Sequence, residues 1–242
     1  MVQKQVKRII KREVISSKYL HEDKQVLISL PPGYDESSSY PCLILHDGDD
    51  YFNLGRIVTQ ANQMISEGQI KPLIMVAVPV QKSLRTEEYA PHGARHELHQ
   101  QFIMDELLPM LKERYPVSLT RENWVIGGSS LGAAASLQLA INHPQQFTHV
   151  LSQSGAFLSQ TTELICQMTN LQDLIVYQSI GKSETAVSTH MGNLDLVTRN
   201  REVYRHLVEK KATVTYREKE GDHTWGFWQR DLPEALHFFF KA

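Results

Sequence analysis

Cysteine is scarce in this chain: Cys42 and Cys166 are the two residues of that type, far apart in sequence and each in an apolar context. They fit reduced, buried thiols in a cytoplasmic protein better than a disulfide scaffold or a zinc site. An excess of one charge is also missing. With 25 basic against 27 acidic residues the net charge is −2, which leaves no electrostatic footprint for nucleic acid or an anionic membrane surface. Long hydrophobic runs are absent too, since the longest, residues 73–80, is less than half a membrane span. The basic N-terminus (Lys4, Lys7, Arg8, Lys11, Arg12) has no apolar segment behind it, so neither export nor a membrane anchor is expected. Glycine and proline, 13 and 10 residues among 242, are too few for a low-complexity chain. No repeat or linker divides the sequence, and one domain over residues 1–242 is expected.

What is present is a patterned core. Residues 6–15 and 25–30 alternate in polarity around a polar break, as an antiparallel pair at a sheet edge does. Beyond them lie short apolar runs at 42–45, 73–80, 124–126, 149–152 and 174–180. Between these runs the periodicity predicts helices over 58–67, 99–114, 131–142 and 200–210. Apolar strands alternating with amphipathic helices signal a parallel sheet covered on both faces. The fold class is α/β, and such sheets bind ligands beyond the carboxyl ends of their strands.

The chemistry centres on Gly128-Ser129-Ser130-Leu131-Gly132, a G-x-S-x-G run directly after a predicted strand and before a small-residue helix. The bare pattern arises by accident roughly 0.08 times in a chain of this size, so the strand-turn-helix setting carries the inference. The bland reading is a Gly-rich turn with Ser129 or Ser130 as helix cap. The functional one makes Ser130 a nucleophile, which needs a histidine to accept its proton and an acid to orient that histidine. His223 follows the strand-like segment 213–218 and precedes a helix expected over 233–240, where a loop beyond the last strand would deliver a base. The acid belongs after the strand at 174–180. Glu184 is close to the strand end, and Asp195 is the alternative if the loop folds back. Donors for an oxyanion are expected from the amide of Leu131 and from the loop His46-Asp47-Gly48-Asp49-Asp50-Tyr51-Phe52, with the Asp49 amide as the candidate. The acidic residues of that loop lack the order of a calcium site, and neither metal nor cofactor is expected.

Taken together, Leu45-His-Asp-Gly, Arg85-Thr-Glu-Glu-Tyr-Ala-Pro, Phe102-Ile-Met-Asp-Glu-Leu-Leu-Pro, Gly127-Gly-Ser-Ser-Leu-Gly, Ser152-Gln-Ser-Gly-Ala-Phe, Asn200-Arg and Gly221-Asp-His-Thr-Trp make the chain resemble an esterase family. That family includes enterochelin esterase, S-formylglutathione hydrolase and the antigen 85-type mycolyltransferases. The resemblance implies an α/β-hydrolase fold, a mostly parallel central sheet with antiparallel N-terminal edge strands and helices on both faces. It also implies Ser130 as nucleophile, His223 as base, Glu184 as acid, oxyanion amides at Asp49 and Leu131, and Trp225 lining the site.

His46, Tyr51, Phe52, Arg85, Tyr89 and Trp228 are further candidates for the pocket wall, though each taken singly is more often a packing or surface residue; Arg85 either grips an acidic substrate group or, the favoured reading, pairs with Glu87, Glu88 or the Asp47 loop. With no insertion long enough for a lid, an open site for small soluble esters, siderophore esters among them, is expected. The leading expectation is a serine carboxyl-ester hydrolase. An acyltransferase with the same triad and a non-catalytic binding module on the same fold are the competing readings. The sequence leaves the oligomeric state open.

Overall fold

The alternating N-terminal segments form a hairpin in the computed structural model, which describes residues 8–189 and 192–242. Strands β1 (Ile9–Ser17) and β2 (Glu22–Leu30) pair antiparallel, Ile9 opposite Leu30 and Ser17 opposite Glu22. Val6 and Lys7 of the expected first strand, and Lys4 of the basic N-terminus, lie outside the described residues. After the hairpin come β3 (Cys42–His46), α1 (Gly48–Asn53), α2 (Ile57–Ser66), β4 (Ile74–Val78), α3 (Arg85–Tyr89) and α4 (His96–Gln101). A π-helical segment (Phe102–Leu107) continues α4 into α5 (Leu108–Arg114). Then follow β5 (Trp124–Ser129), α6 (Leu131–Asn142), β6 (His149–Gln153), α7 (Ser159–Gln167) and β7 (Ile175–Gly181). A small hairpin of β8 (Val187–Thr189) and β9 (Gly192–Leu194) precedes α8 (Leu196–Glu209), β10 (Thr213–Lys219) and α9 (Trp225–Phe240).

Among the described residues, eight strands make one sheet in the order β1-β2-β4-β3-β5-β6-β7-β10. β1 and β2 run antiparallel to their neighbours, and the remaining strands are parallel. The apolar runs are continuous because both faces are covered. Ile44, Val76, Ile126, Val150 and Val176 pack on one side with Phe102, Leu111, Leu137 and Val203. The alternate residues Leu43, Leu45, Met75, Ala77, Val125, Leu151 and Tyr177 pack on the other with Ile57, Ala61, Leu232 and Phe240. This is the α/β-hydrolase architecture, and it brings the carboxyl ends of β3, β5, β7 and β10 to one edge.

Three expectations need correction. The helix expected over 99–114 starts at His96, and its middle is π-helical, ending against Pro109, which has no amide to continue the α-helical ladder. The last helix begins at Trp225, eight positions before 233 by the numbering; burial of Phe227, Leu232, Leu236 and Phe240 outweighs the bond that Pro233 removes. Cys42 is buried as expected, but Cys166 is exposed. In α7 only Thr161 and Ile165 are buried, with Leu164 packed partly against the core, and the residue after Ile165 is rotated about 100° away from it.

Candidate active site

β5 ends at Ser129 and α6 begins at Leu131, so the whole change of direction falls on Ser130, with φ 55 and ψ −124. Few non-glycine residues hold that conformation unless their surroundings impose it. Here the Ser130 amide donates to Gln153 O at 2.9 Å and its carbonyl accepts from the Ala156 amide at 3.0 Å. The close crossing of strand and helix requires Gly128, where a Cβ would lie 2.5 Å from the carbonyl carbon of Gly132. The hydroxyl of Ser130 is thereby raised above the sheet edge.

His223, in the loop between β10 and α9, meets it there. Its Nε2 lies 3.0 Å from Ser130 Oγ and its Nδ1 lies 2.6 Å from Glu184 Oε2. Glu184 stands in the loop after β7 and is 1% exposed. Its other oxygen accepts from Ser154 Oγ at 2.6 Å and from the Gly181 amide at 2.8 Å. Ser154 accepts in turn from the Trp228 indole N–H at 2.8 Å, and the Trp228 ring meets the His223 ring edge-on at 5.1 Å. Asp195 serves a different purpose. It caps α8, accepting from the Thr198 amide at 2.9 Å and hydroxyl at 2.7 Å, and those hydrogen bonds hold its carboxyl below the ordinary value.

Asp49 is the second residue of α1, which follows β3 as Leu131 follows β5. The first amides of a helix have no intrahelical acceptor and are free to serve another group; in α1 the Tyr51 amide is the one that reaches Asp47 O, at 3.2 Å. A depression of about 420 Å³ lies over Ser130 and His223, walled by Asp47, Asp49, Asp50, Lys82, Arg85, Trp225 and Trp228. Burial, reinforced by Asp49 and Asp47, pushes the Asp50 carboxyl above its ordinary value.

Ser130, His223, Glu184, Asp49, Arg85, Trp225 and Trp228 are thus gathered at one place, while four expected wall residues are not. Tyr51 is fully buried beneath Trp225, rings edge-on at 5.0 Å, and donates to Gln153 Oε1 at 2.9 Å. His46, Phe52 and Tyr89 are likewise buried below the surface, because the last residue of β3 and the inner sides of α1 and α3 face the core. Arg85 lines the depression, and of its two readings the pairing with the Asp47 loop is the one seen: Nε to Oδ1 and Nη2 to Oδ2, both 2.8 Å. Sequence reasoning gave no role to Ser154, Asp50 or Lys82; Ser154 lay inside the motif Ser152-Gln-Ser-Gly and Asp50 inside the acidic loop after β3, while Lys82 carried no motif signal. Among the described residues no group of three or more His, Cys, Asp or Glu side chains has the arrangement of a metal site, and no helix is long and apolar enough to cross a membrane.

Known proteins match this chain in both sequence and fold. The family model described as "Putative esterase" covers residues 17–239. The uncharacterized protein YjcH of Bacillus subtilis (strain 168) is 34% identical over 222 residues, 91% of this chain and 92% of that protein. A ferulic acid esterase structure superposes with a TM-score of 0.82 at 18% identity, covering 97% of this chain and 98% of its own. Enterochelin esterase from Shigella flexneri superposes with a TM-score of 0.82 at 20% identity, covering 95% of this chain and 57% of that longer one. With nearly its whole length inside the family model, the chain belongs to this esterase family and is a carboxylic-ester hydrolase built on the α/β-hydrolase fold.

Proposed function

We propose that this esterase works through an acyl-enzyme on Ser130. The observation that carries the reading is the unbroken chain Glu184–His223–Ser130, with contacts of 2.6 and 3.0 Å. His223 Nδ1–H donates to Glu184, which fixes the tautomer in which Nε2 accepts the Ser130 proton. As that proton moves, Ser130 Oγ bonds to the ester carbonyl carbon. The carbonyl oxygen becomes an oxyanion that accepts from the amides of Leu131 and Asp49. Collapse breaks the bond to the leaving alcohol, which takes the proton from His223 Nε2. Water, deprotonated by the same nitrogen, then attacks the acyl carbon and releases the acid, returning the proton to Ser130.

Small soluble esters are the proposed substrates, with siderophore esters one class to test. An open depression lined by Trp225 and Trp228 together with polar groups supports a compact, partly aromatic substrate. A single domain acting in the cytoplasm completes the reading; the free thiols Cys42 and Cys166 support it. The experiment is hydrolysis of p-nitrophenyl acetate and butyrate by the wild type and by Ser130→Ala. The variant is expected to lose at least about 10⁴-fold in kcat. Activity surviving that substitution unchanged would exclude Ser130 as nucleophile.

A further inference from the structure

Resting on that acyl-transfer reading, we propose that Arg85 is a positioning residue: it holds the turn between β3 and α1 against the nucleophile turn, so that the Asp49 amide in the first turn of α1 meets the oxyanion. Asp47 is the keystone of the loop. It is left-handed, with φ 51 and ψ 37, though it is not glycine, and such a residue stays in place only where its neighbours over-determine it. Two side chains of α3 do so. Arg85 grips the Asp47 carboxylate with two parallel bonds of 2.8 Å, and one turn later the Tyr89 hydroxyl accepts from the Asp47 amide at 3.1 Å. From below, a Cβ on Gly132 would come within 2.8 Å of Asp47 Oδ2, so helix α6 and the loop are in direct contact. The same Arg85 nitrogen lies 3.5 Å from Ser129 O, one residue before the nucleophile. Arg85 therefore spans the two segments whose amides, at Asp49 and Leu131, must converge on one atom.

A helix as short as α3 has little stability of its own and must itself be fixed. Glu88 does this. It is fully buried, with Lys24 of β2 at 3.0 Å, Arg95 at 3.3 Å and His99 at 3.3 Å. The line of support runs from the sheet edge through Glu88 to α3, then through Arg85 and Tyr89 to Asp47. Because the Nε–Nη2 edge of the guanidinium is taken by Asp47 and Nη2 also faces Ser129 O, Arg85 acts through Asp47 and not on substrate.

The test measures kcat and KM on a neutral ester, p-nitrophenyl acetate, and on an anionic one, p-nitrophenyl hemisuccinate. A loop displaced by about an ångström or a lost oxyanion donor lowers kcat about 10²-fold. Arg85→Ala is expected to show that loss on both esters, with KM within about twofold. Arg85→Lys, which keeps the charge but not the fork, should recover to within about tenfold of wild type. Asp47→Asn tolerates the left-handed backbone; added to Arg85→Ala it should lower kcat no further. Amide hydrogen exchange supplies a readout independent of activity. The Asp47 and Tyr51 amides should exchange faster in Arg85→Ala and stay unchanged in Glu184→Gln. A rise in KM confined to the anionic ester, with kcat and exchange at wild-type values, overturns the proposal and makes Arg85 a substrate-binding residue. Wild-type hydrolysis that survives Ser130→Ala removes the nucleophile assignment instead. Exchange then decides Arg85 alone: faster exchange supports the loop-holding role, and unchanged exchange overturns it.

Discussion

Glu184 and Glu88 are both buried carboxylates facing a histidine, 1% and 0% exposed, yet their surroundings differ. Glu184 accepts from neutral donors, the Ser154 hydroxyl and the Gly181 amide, and among the described residues its one ionisable partner is His223, whose side chain is 21% exposed at the floor of the depression. Glu88 faces the fixed cations Lys24 and Arg95 as well as His99. Burial pushes the Glu88 carboxyl up, but His99 and Lys24 overcome this and hold it at about 2. His99 and the adjoining His46, Nε2 to Nε2 at 3.0 Å, are both fully enclosed, and burial holds both rings below the usual histidine range. A buried glutamate beside a histidine is therefore not in itself a catalytic pair. Where the charge of the carboxylate is left for the imidazole alone, it stabilises the imidazolium that forms when a proton arrives. Where permanent cations already balance it, the pair holds structure together.

Exchanging each acid for its amide sharpens the contrast. Glu184→Gln should lower kcat by about 10³–10⁴-fold, because an amide at that position favours the wrong His223 tautomer, while the thermal midpoint changes little. A drop under tenfold would remove Glu184 from the chemistry. The Glu88 side predicts a stability effect. A carboxyl at about 2 in the folded protein against 4.5 unfolded contributes stability that is present above pH 4.5 and lost as the pH falls toward 2. The amount is roughly 3 kcal/mol. The depressed His46 and His99 add to the same trend from about pH 6.5 downward, since unfolding lets them take up protons. Denaturant midpoints should fall steadily from pH 7 to pH 3, and Glu88→Gln should shrink the drop below pH 4.5. An equal drop in the variant would contradict the assigned role. The smallest effect belongs to Asp195→Ala, which should cost about 1 kcal/mol through loss of the α8 cap and leave kcat within about twofold. A large loss of activity there would reopen the choice of acid.

Much of one side of this comparison was legible in the sequence. Ser130 lies between a strand-forming run and a small-residue helix, and His223 follows the last strand, so chain order and local pattern point to both. Glu184 and Asp195 lay in the same loop region, and the choice between them depends on whether the chain turns back after β7, a matter of three-dimensional packing that spacing does not encode. The other side left almost no local signal. Lys24, Glu88, Arg95 and His99 come from β2, α3, the turn beyond it and α4, and each alone reads as an ordinary surface charge or helix residue; the pairing of Arg85 with the Asp47 loop is the exception, one of the two readings its motif offers. Tyr51 was misjudged for a related reason: an aromatic residue near a catalytic loop suggests a wall, but the short helix that carries it turns its ring toward the core. Cys166 shows the converse, an apolar sequence neighbourhood on a helix whose buried stripe passes one residue away.

The most direct test of the account is covalent trapping. Incubation with an alkyl fluorophosphonate followed by peptide mass spectrometry should place one adduct on Ser130, and His223→Ala should slow its formation by at least about 10³-fold. An adduct on another residue, or labelling at Ser130 that proceeds at the same rate without His223, would contradict the claim that these two side chains act together above the sheet.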